Sequence, residues 1–154
     1  MLFNFISVTN KLSNWEDEGI KYFTKQFPKH ISINFENLKS QQHPKRSTSE
    51  VISLESSTLL SKIDDTSYNI AFDKNGDQMS SKDFSQLINI CIESHKKTNF
   101  LIGGSFGLSK EILKKSNRVI SLSNMTFPHR LFKIMLVEQL YRALSILNNS
   151  PYHK

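Results

Sequence analysis

The stretch Asn99-Phe100-Leu101-Ile102-Gly103-Gly104-Ser105-Phe106-Gly107 decides the reading of this chain. A short apolar run ends in a glycine-rich turn, the way a buried strand hands over to a helix. The same grammar continues downstream. Leu108 to Ser116 is a polar helical segment, and Arg118-Val119-Ile120-Ser121-Leu122 is a second apolar strand. Ser123 to His129 then forms a loop in which Pro128 halts regular structure. Two parallel strands with loops at their carboxyl ends make a crevice, and open α/β sheets bind ligands in such crevices. Taken alone, Gly103-Gly104-x-x-Gly107 predicts only a tight connection with positive φ at a glycine.

Upstream, the same alternation repeats. Leu2 to Val8 reads as a strand, followed by a helix capped by Asn14 or Ser13 and running to about Gln26, with Trp15, Ile20, Phe23 and Phe27 as apolar contacts. Ile31 to Phe35 alternates with period two, so it is a strand with one buried face. Lys39 to Ser49 is polar and basic and reads as a mobile loop, and a helix follows from about Ser49 to Lys62. Tyr68 to Phe72 is a strand expected to stop at the turn Asp73-Lys74-Asn75-Gly76-Asp77. Ser80 or Ser81 then caps a helix to about Lys97. Strands alternating with helices predict an α/β fold with a parallel sheet, and 154 residues suit one domain spanning 1–154.

The chain carries a formal net charge of +6 with unequal distribution. Through Ser109 there are 12 Lys/Arg against 12 Asp/Glu; from Lys110 onward there are 8 against 2. The excess thus lies in the last 45 residues, beside the expected crevice, and points to a polyanion such as nucleic acid. The lone Cys91 rules out a disulfide framework and reads as a small buried hydrophobe. No run approaches the roughly 20 apolar residues of a membrane span, and Met1 to Ile6 reads as a strand rather than a secretory signal. A cytoplasmic protein is expected. The five histidines are too scattered to suggest a metal site, and nucleoside triphosphate, dinucleotide and zinc-protease motifs do not occur.

The segment Arg130 to Leu147 has an unusually narrow polar stripe, Glu138, Arg142 and Ser145. A helix with so little polar surface is buried on more than one side. A homodimer interface is the simplest second cover, and Glu138 and Arg142 should pair within it. The terminal Asn149-Ser150-Pro151-Tyr152-His153-Lys154 mixes polar, aromatic and basic groups, a composition suited to stacking on a base while holding a phosphate.

Several motifs in fixed order carry a resemblance. They are Leu101-Ile102-Gly103-Gly104-x-x-Gly107-Leu108-Ser109, Ser121-Leu122-Ser123-x-Met125-Thr126-Phe127-Pro128-His129, Glu138-Gln139-Leu140-Tyr141-Arg142-Ala143 and Asn149-x-Pro151-Tyr152-His153. With Trp15, Phe27-Pro28 and Phe72-Asp73-x-x-Gly76, the chain resembles the bacterial SPOUT methyltransferases that methylate N3 of a pseudouridine in large-subunit ribosomal RNA. The resemblance implies a carboxy-terminal trefoil knot and a homodimer. It also implies S-adenosyl-L-methionine held by Phe72, Asp73, Gly103, Gly104, Ser123, Asn124, Met125, Thr126, Phe127 and Pro128. Arg142, Tyr152, His153 and His129 become the catalytic candidates, expected near one another. The partner that the resemblance implies is 23S ribosomal RNA in the large subunit or whole ribosome, with no metal or membrane expected. Two departures stand out. Ser105-Phe106 occupies the turn where such proteins commonly carry an acidic residue, and Asp77 stands where a lysine is common. A SPOUT enzyme with another RNA target and a non-catalytic RNA-binding dimer remain the alternatives, separated by cofactor binding.

Overall fold

The computed structural model describes residues 1–153. Ten elements alternate along the chain: β1 (Leu2–Thr9), α1 (Asn14–Thr24), β2 (Ser32–Lys39), α2 (Thr48–Leu60), β3 (Tyr68–Gln78), α3 (Ser81–Ser94), β4 (Lys97–Ile102), α4 (Lys110–Lys115), β5 (Arg118–Ser121) and α5 (His129–Leu147). The strands form one sheet in the order β2-β1-β4-β3-β5, and every pairing is parallel. The expected α/β architecture is present. The two strands that frame the glycine turn and the Ser123–Pro128 loop are not neighbours, however, because β3 lies between them. The crevice therefore draws on three strand ends.

Side chains alternate across each strand and so feed two cores. Phe3, Phe5, Ile70, Phe72, Phe100 and Ile120 pack with α1, α3 and α5 on one face. Ile6, Val8, Ala71 and Leu101 pack with α2 and α4 on the other. A chain of asparagines fixes the register. Asn34 Nδ2 donates to Asn4 Oδ1 at 2.7 Å, Asn4 to Asn99 at 3.3 Å and Asn99 to Asn69 at 2.8 Å, each pair in register on adjacent strands. A slip of one residue would leave buried amides without partners. Cys91 is fully buried, as expected of a small hydrophobe, and burial pushes its thiol up.

Helix starts follow local chemistry. Ser47 and Ser80 each close a reciprocal capping box, with Glu50 and Asp83 respectively. Ser13 occupies the cap position of α1 without a side-chain hydrogen bond. Within α1, Ile20 is buried, but Trp15 remains half exposed, contrary to the apolar contact expected of it.

Two expectations need correction. First, β3 does not stop at Asp73. Phe72 and Asp77 both register with Ile120, so four residues loop out as a bulge and the strand resumes to Gln78. Gly76 makes this possible: a Cβ there would lie 2.6 Å from the Ile120 carbonyl carbon. The turn forms where its residues predict, but pairing with β5 continues the strand beyond it. Second, α5 finds its second cover within the chain, because α1 and α3 both pack on it over the sheet. That cover is partial, since Leu131 stays exposed and Ile134, Met135 and Ile146 are half-buried.

Candidate active site

The carboxyl edge of the sheet carries a crevice built from the ends of β4, β3 and β5. At the end of β4, Gly107 N–H donates to Gly104 O at 3.0 Å and Gly107 sits at φ +80, the glycine conformation expected of this turn. Gly103 approaches Gly107 so closely that a Cβ would lie 2.6 Å from its carbonyl carbon. One cavity of about 610 Å³ is walled by Phe72, Asp73, Gly103, Gly104, Phe106 and His129 among others. A second, of about 350 Å³, is walled by Phe72, Asp73, Ile120 and the loop from Leu122 to Phe127. The two share Phe72, Asp73, Lys74, Thr126, Phe127 and Phe132 and form one crevice. Volumes of this order hold small-molecule ligands of roughly 300–1,000 Å³.

Nine of the ten residues expected at the cofactor lie in these walls. The tenth, Pro128, is the N-cap of α5 and starts the helix instead. Asp73 sits at the root of the bulge. Its Oδ1 accepts from the Asn75 amide at 2.9 Å, while Oδ2 faces Gly107 across the crevice. Aromatic walls with one free carboxylate oxygen suit a flat, partly polar ligand that carries positive charge.

His129 opens α5 and lines the crevice. Its Nε2 lies 2.7 Å from the Val8 carbonyl oxygen, and a carbonyl only accepts, so Nε2 carries the proton and Nδ1 is the free acceptor. Burial and then the Lys133 ammonium hold its pKa below the ordinary value, with Glu16 opposing them. His129 is thus a neutral imidazole at pH 7. Lys133 and Glu16 are each 1% exposed and 3.9 Å apart. Lys133 Nζ donates to Asn37 Oδ1 at 3.0 Å, and burial depresses its pKa.

The other three catalytic candidates gather elsewhere. Arg142 donates through Nε and Nη2 to Glu138 Oε1 at 3.0 and 2.6 Å, which is the pairing expected from sequence. Tyr152 O–H donates to the same oxygen at 2.9 Å, and its ring lies 4.8 Å under the Arg142 guanidinium. Burial and the bond to Glu138 both push the Tyr152 pKa up, so the phenol keeps its proton. His153 Nδ1 lies 3.3 Å from Arg142 Nη1, a bond in which the imidazole must accept. The expectation that His129 and Arg142 lie together is not met within one chain. Thirteen residues of helix separate them, roughly 20 Å at ~1.5 Å per residue.

Sequence reasoning missed Glu55. Val51, Glu55 and Leu59 share one buried face of α2. Glu55 Oε1 accepts from the Gln41 amide at 2.9 Å and Ser40 Oγ at 3.3 Å, while Oε2 lies 2.8 Å from where a Cβ of Gly104 would stand. A carboxylate in an apolar stripe was the available signal. It supports the glycine turn from behind, at a turn that itself carries Ser105-Phe106 rather than an acidic residue. The charge distribution also changes in three dimensions. Of the basic residues after Ser109, Lys115 lies near Glu111, Arg118 near Asp77, Arg142 beside Glu138 and buried Lys133 beside Glu16. Lys114, Lys115 and Arg118 stand at the amino edge, where α4 ends and β5 begins, away from the crevice.

Sequence comparisons agree with this architecture. A family profile described as "Predicted SPOUT methyltransferase" matches residues 1–153. The chain is 36% identical to the ribosomal RNA large subunit methyltransferase H of Clostridium botulinum (strain Eklund 17B / Type B), with both chains covered in full. It is 34% identical to the protein of that name from Clostridium tetani, again over both full lengths. A ribosomal RNA large subunit methyltransferase H 1 of Clostridium perfringens is 34% identical over 97% of each chain. With a parallel sheet, a glycine turn and a carboxyl-edge crevice built from the expected residues, this chain belongs to the SPOUT methyltransferase family.

Proposed function

We propose that this protein is an S-adenosyl-L-methionine-dependent methyltransferase that methylates N3 of a pseudouridine in 23S ribosomal RNA, working as a cytoplasmic homodimer on the large subunit or whole ribosome. One observation carries the reading: residues assigned to the cofactor by family resemblance, from three separate stretches of sequence, wall one crevice. The names of the full-length relatives support the RNA substrate. When bound, the cofactor supplies an electrophilic methyl group on a sulfonium sulfur. Phe72, Phe127 and Ile120 would enclose its apolar surface, and the Asp73 carboxylate would face its positive charge. A side chain at Gly103 or Gly104 would collide with the Gly107 backbone or with Glu55 and Val8, so glycine there lets the turn close tightly beside the crevice that it walls.

The protein must align N3 with the methyl group and favour its deprotonated form. His153 or a water would take the N3 proton, leaving the ring nitrogen free to accept the methyl group that the cofactor would supply. The Arg142 guanidinium stabilises the imide anion as charge develops. In one chain, Arg142, Tyr152 and His153 are not in the walls of the crevice. A second copy brings its tail to the crevice of the first, so the dimer in this reading rests on the separation of the two ends of α5. Calorimetric titration with S-adenosylmethionine, followed by methyl transfer to unmodified ribosomes, tests the proposal. One site per chain with transfer to 23S RNA is expected; binding without transfer, or no binding, overturns it.

A further inference from the structure

Beyond the crevice, the carboxyl edge continues over β1 and β2 into a groove of about 630 Å³, walled by Thr9, Asn10, Lys11, Ser13, Asn37 and Lys39 with their neighbours. Its charge is one-sided. Lys11 and Lys39 are exposed and form no ion pair among the described residues. The only acidic residue in the wall, Asp17, is already engaged by Lys21 at 2.6 Å. Behind the groove, Glu16 stands against two cations, Lys133 at 3.9 Å and Arg130 at 4.0 Å, which leaves a net positive charge there.

The groove also presents hydrogen-bonding groups. Asn37 Oδ1 is held by Ser7 Oγ at 3.1 Å and by Lys133 Nζ at 3.0 Å, which fixes the amide and leaves its nitrogen without a protein partner among the described residues. Past Lys39, the 40–47 loop adds exposed His43, Lys45 and Arg46. Arg46 is tied to Gln41 O at 2.8 Å rather than to a carboxylate. The loop is fastened to the crevice: Ser105 Oγ donates to Gln42 Oε1 at 3.1 Å, and Gln41 is held by Glu55.

We propose that this groove and loop bind the RNA strand flanking the methylated nucleotide, with Lys11, Lys39 and Lys45 on its phosphates. The inference rests on the proposed RNA substrate and gives it a surface. The groove runs along the same edge as the crevice, and lysines unopposed by carboxylates supply the phosphate contacts that dominate nucleic-acid affinity. The amide and hydroxyl groups between them suit base or ribose edges. The docking surface therefore comes from the residues before Lys110, which balance 12 Lys/Arg against 12 Asp/Glu in sequence, and not from the basic last 45 residues.

The test compares Lys11→Ala/Lys39→Ala/Lys45→Ala with Lys114→Ala/Lys115→Ala, which removes two lysines at the opposite edge. Each protein is titrated with purified bacterial large ribosomal subunits and with protein-free 23S RNA over a range of salt. Thermal melting and S-adenosylmethionine affinity are recorded alongside and should match wild type in both variants. Losing three single-strand phosphate contacts lowers the log–log salt slope by roughly 2 and weakens binding at 0.15 M salt by roughly 50-fold relative to a 1 M reference. The opposite-edge variant should bind as wild type does. Equal binding by both variants would overturn the inference while leaving the methyltransferase reading intact. Weakened binding to subunits with unchanged binding to free RNA would also overturn it, by making an acidic ribosomal protein the partner. Failure of the wild-type protein to bind either probe would instead overturn the RNA substrate itself.

Discussion

The two ends of α5 solve opposite problems with similar residues. At its amino end, His129, Lys133 and Glu16 are desolvated, and the histidine is kept neutral. Among the described residues, both oxygens of Glu16 lack hydrogen bonds and face only distant cations. At its carboxyl end, Glu138 is saturated by Arg142, Tyr152 and Gln139, and the cluster is open to solvent on one side. The first arrangement is costly and rigid, as suits a wall that positions a ligand. The second is satisfied by short charge-assisted bonds within the chain, which the proposed function would exchange for those of a substrate. The difference predicts that substitutions at one end damage the fold and substitutions at the other damage the chemistry.

The largest effect should come from Arg142→Ala. Removing one donor that stabilises a developing anion lowers kcat by roughly 10²–10³-fold, while thermal melting should move little because the residue is partly exposed. Single-turnover methyl transfer alongside a melting curve measures both; a large loss of stability would break the contrast. At the other end, Lys133→Ala leaves the Glu16 carboxylate buried beside only a distant Arg130. A cost of about 3 kcal/mol in urea unfolding is expected. Acid should expose the same end. The folded state resists protonating His129, so the unfolded chain binds more protons near and below the ordinary value of 6.5. The stability contributed by neutral His129 is full above that pH and falls as pH drops through it. His129→Gln should flatten this part of the stability–pH curve. The smallest effect belongs to Tyr152→Phe, which removes one hydrogen bond to Glu138 and should cost about 1 kcal/mol or less.

Much of the fold was legible in the sequence because its signals were local. Ser47 and Ser80 mark helix starts through capping chemistry that involves only three residues downstream. Gly107 takes the positive φ that a strand-to-helix turn requires. The contrast between Asp73–Gly76 and Gly103–Gly107 shows where local signals end. Both are glycine turns, yet the first is spanned by a continuing strand because β5 pairs on each side of it. Strand order, which places β3 between β4 and β5, has no local signature either. Charge is legible only as a total: a count along the chain points to a polyanion, while folding decides which cations stand together, setting Lys11 and Lys39 in one groove and some carboxy-terminal cations beside carboxylates. The polar stripe of α5 correctly paired Glu138 with Arg142, but wheel geometry could not show that α1 and α3 supply its cover.

The central claim is that the crevice of one chain works with the tail of another. Activity of mixed dimers tests it most directly. A crevice variant, Gly103→Val, is co-expressed with a tail variant, Arg142→Ala, each inactive as a homodimer. In a random mixture half the dimers are mixed, and each mixed dimer has one site with both parts intact, so roughly a quarter of wild-type methyl transfer should return. If mixed dimers form and no activity returns, crevice and tail act within a single chain, and the two ends of α5 do not meet across a dimer.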